Sequence, residues 1–166
     1  MTKGLIFKDG RFDNVSLPSL EFHDDGIVIQ SQLPSSVVDD FVKDLFAWME
    51  PTIGLRRIAT HPVYKTYQSE LIVRTEAPIL KVLGPAMALG EAISRGLKQA
   101  SNLDVEIDAV GFSLATDNTL LPVIKPIPFR IDRRAGVPFE ANLYYTQAPL
   151  PTSDHLKVLE QLEKMV

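Results

Sequence analysis

Between Phe129 and Tyr145 the chain gathers Arg130, Arg133 and Arg134 close to Tyr144 and Tyr145, with Gly136 and Asn142 among them. A guanidinium can fork onto phosphate or carboxylate, and a tyrosine ring can stack on a base, so anion or nucleic-acid binding is one chemistry open to this stretch. Arginine and tyrosine are also enriched at protein interfaces. With 17 basic against 21 acidic residues the formal net charge is −4, which supplies no general field to attract a polyanion. Protein contact is therefore the favoured reading. Arg130, Arg133, Arg134, Tyr144 and Tyr145 are expected to be interface residues, and nucleic acid is not expected as a partner. Arg56 and Arg57 extend the patch if the fold brings them near.

Asp104, Glu106 and Asp108 alternate, which on a strand turns all three carboxylates to one face. A row of this kind can hold a hard cation, but oxygen cages normally draw ligands from a tight loop as well. Arg130, Asp132 and Arg134 alternate in the same way, and antiparallel pairing of the two segments would set unlike charges opposite each other. The expectation is a structural pairing of Asp104 and Asp108 with the Arg130–Arg134 strand, and no metal site.

His23, His61 and His155 lack the i, i+4 spacing of a helical metal site, and no orienting partner adjoins them in sequence. His155 beside Asp154 reads as a neutral imidazole in the first turn of a helix. Gly-x-Ser-x-Gly, Ser-x-x-Lys, Walker and Gly-x-Gly-x-x-Gly patterns are absent. The chain has no cysteine, which removes disulfides, a thiolate nucleophile and a Cys-type zinc site. The sequence thus implies no cofactor and no catalytic residue, and leans away from an enzyme.

The elements that must hold these groups are read from periodicity. Leu5-Ile6-Phe7 and Arg11-Phe12 flank Lys8-Asp9-Gly10, and Leu20-Glu21-Phe22 and Ile27-Val28-Ile29 flank His23-Asp24-Asp25-Gly26, which reads as hairpins. A helix follows Pro34-Ser35-Ser36, with Asp39 and Asp40 in its first turn. Val38, Phe41, Val42, Leu45, Trp48 and Met49 share its inner face, which makes Trp48 a core residue, and Pro51 and Gly54 end it. Tyr64 to Thr75 reads as a strand with Leu71 and Val73 on one face and Ile72 and Arg74 on the other. A second helix, Ala77 to Ala100, must kink or split at Gly84-Pro85. Its Ala88, Ala92 and Gly96 offer a stripe for close backbone approach. Leu103 to Leu114 reads as a strand with a bulge near Ala109-Val110-Gly111. Pro122, Pro126 and Pro128 confine the next strand to an edge, or make it an extended arm. A last strand spans Phe139 to Thr146, and a last helix begins at Pro151-Thr152-Ser153-Asp154 with Leu156, Leu159 and Leu162 inward.

This order lacks regular βαβ alternation and predicts an α+β fold: mainly antiparallel sheets with about three helices and a proline-rich edge strand or arm. At 166 residues, 45% hydrophobic and 23% charged, the chain reads as a single globular domain over 1–166, with an extended interaction segment at 121–151. Its start leads straight into a strand-like run, so no signal peptide is expected. The most apolar stretch, Ala77 to Leu97, carries Lys81, Glu91 and Arg95 and is a poor membrane span. A cytoplasmic protein, or a virion component assembled in the cytoplasm, is expected. The function expected is a structural or assembly subunit acting on itself or other subunits, with a viral or phage-like particle as one setting. The alternative is a small-molecule-binding or enzymatic α+β domain using dispersed groups such as His61, Asp108, Arg130 and Tyr144.

Overall fold

A computed structural model describes residues 4–12, 15–24, 26–54, 64–121 and 125–166. It has the expected α+β architecture, with helices and two antiparallel sheets. The chain divides into two compact units, Met1–Lys65 with Pro151–Ser153, and Thr66–Leu150 with Asp154–Val166.

The first unit holds strands β1 (Leu5–Phe12), β2 (Val15–His23) and β3 (Gly26–Gln30) in the order β1-β2-β3, followed by helix α1 (Ser35–Ile53). The hairpin at His23 forms as expected. Lys8-Asp9-Gly10 is not a turn: β1 runs through it, and the ladder continues from Leu5↔Phe22 to Phe12↔Val15. Asp9 takes φ 55 inside the strand, a left-handed conformation that Asp tolerates better than most side chains. Pro18 fits in an inner strand because the β2–β3 ladder begins only at Ser19, so no pairing there depends on a donor from Pro18.

Phe12 and Phe41 meet edge to face with ring centroids 4.9 Å apart, which joins α1 to the sheet. Met49 is the buried centre of the helix's inner stripe. Trp48 sits about 100° around the helix from it and is 58% exposed, which corrects its expected place in the core. Asp39 and Asp40 fall just past the first turn, where they pair with Lys65 and Lys43. Pro34 provides no side-chain cap. Instead Ser35 and Thr152 exchange hydrogen bonds, each hydroxyl accepting from the other's backbone N–H at 3.1 and 2.9 Å. The helix passes Pro51 and stops at Gly54, whose φ of 68 is the left-handed stop a glycine allows.

The second unit holds β4 (Ser69–Arg74), a 3₁₀ turn (Ile79–Leu83), α2 (Gly84–Ser101), β5 (Gly111–Leu114), β6 (Phe129–Arg133) and β7 (Leu143–Ala148), with most of α3 (Thr152–Glu163). Its sheet runs β4-β7-β6-β5. Ile79, Leu80, Ile131, Tyr144, Leu159 and Leu162 form the core on one face of that sheet, with Leu71, Val73, Phe112 and Phe129 packed against them. The break at Gly84-Pro85 is where expected: Pro85 opens α2, at a position where its missing N–H would have no partner anyway.

Several expectations change. Residues 102–110 are not strand, so the parity switch near Val110 marks the entry to β5 and no bulge. Pro126 and Pro128 lie in irregular chain ahead of β6, out of the ladder as their missing donors require. The strand they lead into is an inner one, between β5 and β7. Pro122 lies outside the described residues. The stripe of Ala88, Ala92 and Gly96 is exposed, and the close approach occurs at Gly90, where a Cβ would collide with the Ile107 carbonyl. Gly111 is demanded in the same way by the Ile131 carbonyl and the Asp132 carboxylate. On α3 the inward residues are His155, Leu159 and Leu162, while Leu156 is exposed.

Candidate functional site

β6 distributes the expected arginines to opposite faces. Phe129, Ile131 and Arg133 turn to the core, and Arg130 and Asp132 turn outward. The Arg133 guanidinium is enclosed. Nη2 donates to Asp108 Oδ2 at 2.8 Å, Nε to the Ala109 carbonyl at 3.1 Å and Nη1 to the Phe139 carbonyl at 3.0 Å. Its plane lies over the Phe139 ring at 4.2 Å and near the Tyr144 ring at 5.8 Å. Arg133 therefore ties the irregular chain before β5 and the turn before β7 to the end of β6. Tyr144 is wholly buried, and burial pushes its hydroxyl above the usual value. Arg130, Arg134 and Tyr145 remain on the outside of the unit; Arg56 and Arg57 lie outside the described residues.

The paired rows of carboxylate and arginine do not form as expected. Asp108 reaches Arg133, but from irregular chain, whereas Asp104 pairs with Lys98 at 2.9 Å. Among the described residues no His, Cys, Asp or Glu group of three or more could hold a metal.

The outer face of the four-stranded sheet carries one polar and one mixed row. Glu70, Gln147, Arg130 and Ser113 lie side by side in one, and Ile72, Tyr145, Asp132 and Gly111 in the other. Glu70 collects bonds from Gln68 at 2.8 Å, from Gln147 at 3.2 Å and from the Tyr145 hydroxyl. Burial, then the Glu70 bond and charge, raise the Tyr145 hydroxyl above its usual value. Arg130 and Asp132 form an ion pair beside a shallow groove of 420 Å³ lined by Ser113, Pro128 and Gln147. The polar groups there largely satisfy one another.

Ser69 and His155 were not paired by any sequence signal, being 86 residues apart, yet Ser69 Oγ and His155 Nδ1 meet at 2.8 Å inside the unit. His155 is fully buried, and its Nε2 has no hydrogen-bond partner among the described residues. Burial holds its imidazole below the ordinary value. Both side chains are buried, so the pair has the atoms of a nucleophile and base without an open place for a substrate among the described residues.

In the first unit, cross-strand pairing sets Leu5 opposite Phe22 and Ile27 in turn, and Phe7 opposite Leu20 and Ile29. All of them share one face of the sheet, opposite the face that carries Phe12. Leu5 is 61% and Phe7 49% exposed, and Phe7 stacks edge to face on Phe22 at 6.0 Å. Alternation marks this face only in part, because Leu5-Ile6-Phe7 and Ile27-Val28-Ile29 are unbroken apolar runs. What periodicity could not give was which face α1 would take.

No protein-family model matches the chain, and no curated protein or solved structure is significantly similar to it. Among the described residues no helix is long and apolar enough to cross a membrane.

Proposed function

We propose that the chain is a structural subunit that works through protein–protein contact, with the apolar face of β1-β2-β3 as a principal contact surface. The observation that carries this reading is the face itself: Leu5, Phe7, Leu20, Phe22, Ile27 and Ile29 together on a small sheet, its outermost members open to water. Isolated exposed apolar residues are ordinary, but a contiguous patch is the usual mark of an interaction site. Arg130, Arg134 and Tyr145 lie on the outside of the second unit, as residue types that favour protein contact, while Arg133 and Tyr144 act inside that unit. The dispersed-site alternative gains no support from geometry. Asp108 bonds Arg133, Arg130 is on the outer face, Tyr144 is in the core and His61 is outside the described residues.

The test is sedimentation velocity of the parent and of the Leu5→Ser/Phe7→Ser double variant, with circular dichroism to verify folding. The parent should sediment as an assembly and the folded variant as a smaller species. A folded variant that assembles like the parent would remove this face from the proposal.

A further inference from the structure

β4 is the last strand of its sheet, and among the described residues no other strand pairs with its free side. Which backbone groups it presents there follows from the hydrogen bonds on its paired side. The Thr75 N–H donates to the Asn142 carbonyl at 3.1 Å, so that pair and every second one toward Ser69 exchange bonds with β7. Arg74, Ile72 and Glu70 fall between them, and their N–H and C=O groups point away from β7. The partner side agrees: the Leu143 carbonyl, opposite Arg74, accepts from the Arg134 N–H at 2.9 Å and so faces β6.

The residues presenting free backbone are also spaced symmetrically, an acid and a base at equal distances from Ile72. We infer that β4 pairs antiparallel with β4 of a second copy of this chain, on a two-fold axis through Ile72, joining the two four-stranded sheets into one continuous sheet. This rests on the reading of the chain as an assembly subunit and names one edge by which it assembles. In that register Ile72 meets Ile72 of the second copy, and Glu70 meets Arg74 in both directions. Those pairs are the ones whose outward backbone groups can exchange hydrogen bonds. Leu71 faces Val73 on the core side. The interface is isologous, as a closed dimer requires.

Side chains favour this register as well. Glu70, Ile72 and Arg74 are all exposed, with Ile72 at 59%. Among the described residues Arg74 forms no ion pair, so a carboxylate across the axis gives it a partner. A shift of two residues either way would set Ile72 against a charged residue, and a shift of one would oppose bonding to non-bonding positions. The other edges lack these features. β5 and β3 carry no charge to set a register, and β1 is interrupted by Asp9 in the left-handed conformation. Natural edge strands are commonly blunted by proline, bulges or inward charge; β4 contains none of these.

The chain's lack of cysteine allows a direct test. Opposed Cα atoms in a hydrogen-bonded antiparallel pair lie about 5.5 Å apart, within disulfide reach. Ile72→Cys should therefore oxidise to a covalent dimer much faster than Leu114→Cys, placed at the exposed edge of β5. By light scattering, Arg74→Glu should shift the association midpoint at least tenfold toward monomer, and Glu70→Arg/Arg74→Glu should restore association. Circular dichroism verifies that each variant is folded. Ile72→Cys cross-linking no faster than Leu114→Cys, or Arg74→Glu associating like the parent, overturns the edge pairing. If the parent still assembles in that case, only the edge is lost. A parent monomeric at every concentration ends both this inference and the assembly reading.

Discussion

Arg133 and Asp108 meet at 2.8 Å between Nη2 and Oδ2, with the arginine side chain only 9% exposed. The pair is anchored at both ends, because Asp108 Oδ1 also accepts from the Ala109 N–H at 2.7 Å. Removing the guanidinium leaves a mostly buried carboxylate without its cation and takes a donor from the Ala109 carbonyl, while the Phe139 carbonyl keeps the Asn142 N–H at 3.2 Å. Arg133→Ala should cost about 3 kcal/mol, at the low end for a broken buried ion pair. Urea unfolding should give a lower midpoint with an unchanged slope. Arg133→Lys should recover only part of the loss, since an ammonium cannot reproduce the planar fork. An unchanged midpoint in Arg133→Ala would contradict the structural role.

His155 should make stability depend on pH. Its imidazole is held neutral by burial in the native state, while the unfolded chain takes up a proton near the usual value of about 6.5. The unfolded state therefore binds more protons as the pH falls. The stability is fully present above that pH and is lost as pH falls through the lower native value. His155→Asn keeps a polar contact for Ser69 and cannot titrate in this range, so it should flatten this part of the profile. Urea midpoints stepped from about pH 7.5 to about pH 5 measure it. Parallel profiles for parent and variant would contradict the assignment.

The glycines of α2 should respond in opposite directions. Gly90 abuts the Ile107 carbonyl, so Gly90→Ala should destabilise by about 1–3 kcal/mol. Gly96 is exposed in the helix with open space about it, and Gly96→Ala should stabilise by about 0.8–1 kcal/mol. Thermal melts of the two variants decide the matter, and shifts of the same sign would contradict the packing.

Trp48 is the sole tryptophan, so its emission reports one site. In dilute solution it should be red-shifted and readily quenched by acrylamide, and Trp48→Ala should change stability by no more than about 0.5 kcal/mol. Blue-shifted, protected emission would return it to the core.

Local signals carried much of the fold. The split at Gly84-Pro85, the inner and outer faces of β4 and the hairpin at His23 follow from proline chemistry, parity and turn residues. Long-range contacts decided the rest. Trp48 and Met49 are both plausible inward residues by periodicity; Trp48 is the nearer to Phe41 around the helix, yet Met49 is the buried one, so packing and not spacing decides between them. The Arg–Tyr stretch was legible as a concentration of chemistry. Its division into Arg133 and Tyr144 inside, and Arg130 and Tyr145 outside, depended on where β6 and β7 begin. Ser69 and His155 had no local signal at all, because only the ladder between β4 and β7 and the docking of α3 bring them together.

The central claim, that this chain works as part of an assembly, is tested most directly by the mass of the unmodified chain under multi-angle light scattering across a wide concentration series. The account predicts a mass above the 18.5 kDa of one chain, rising with concentration toward a defined multiple of it. A constant 18.5 kDa at every concentration would contradict it.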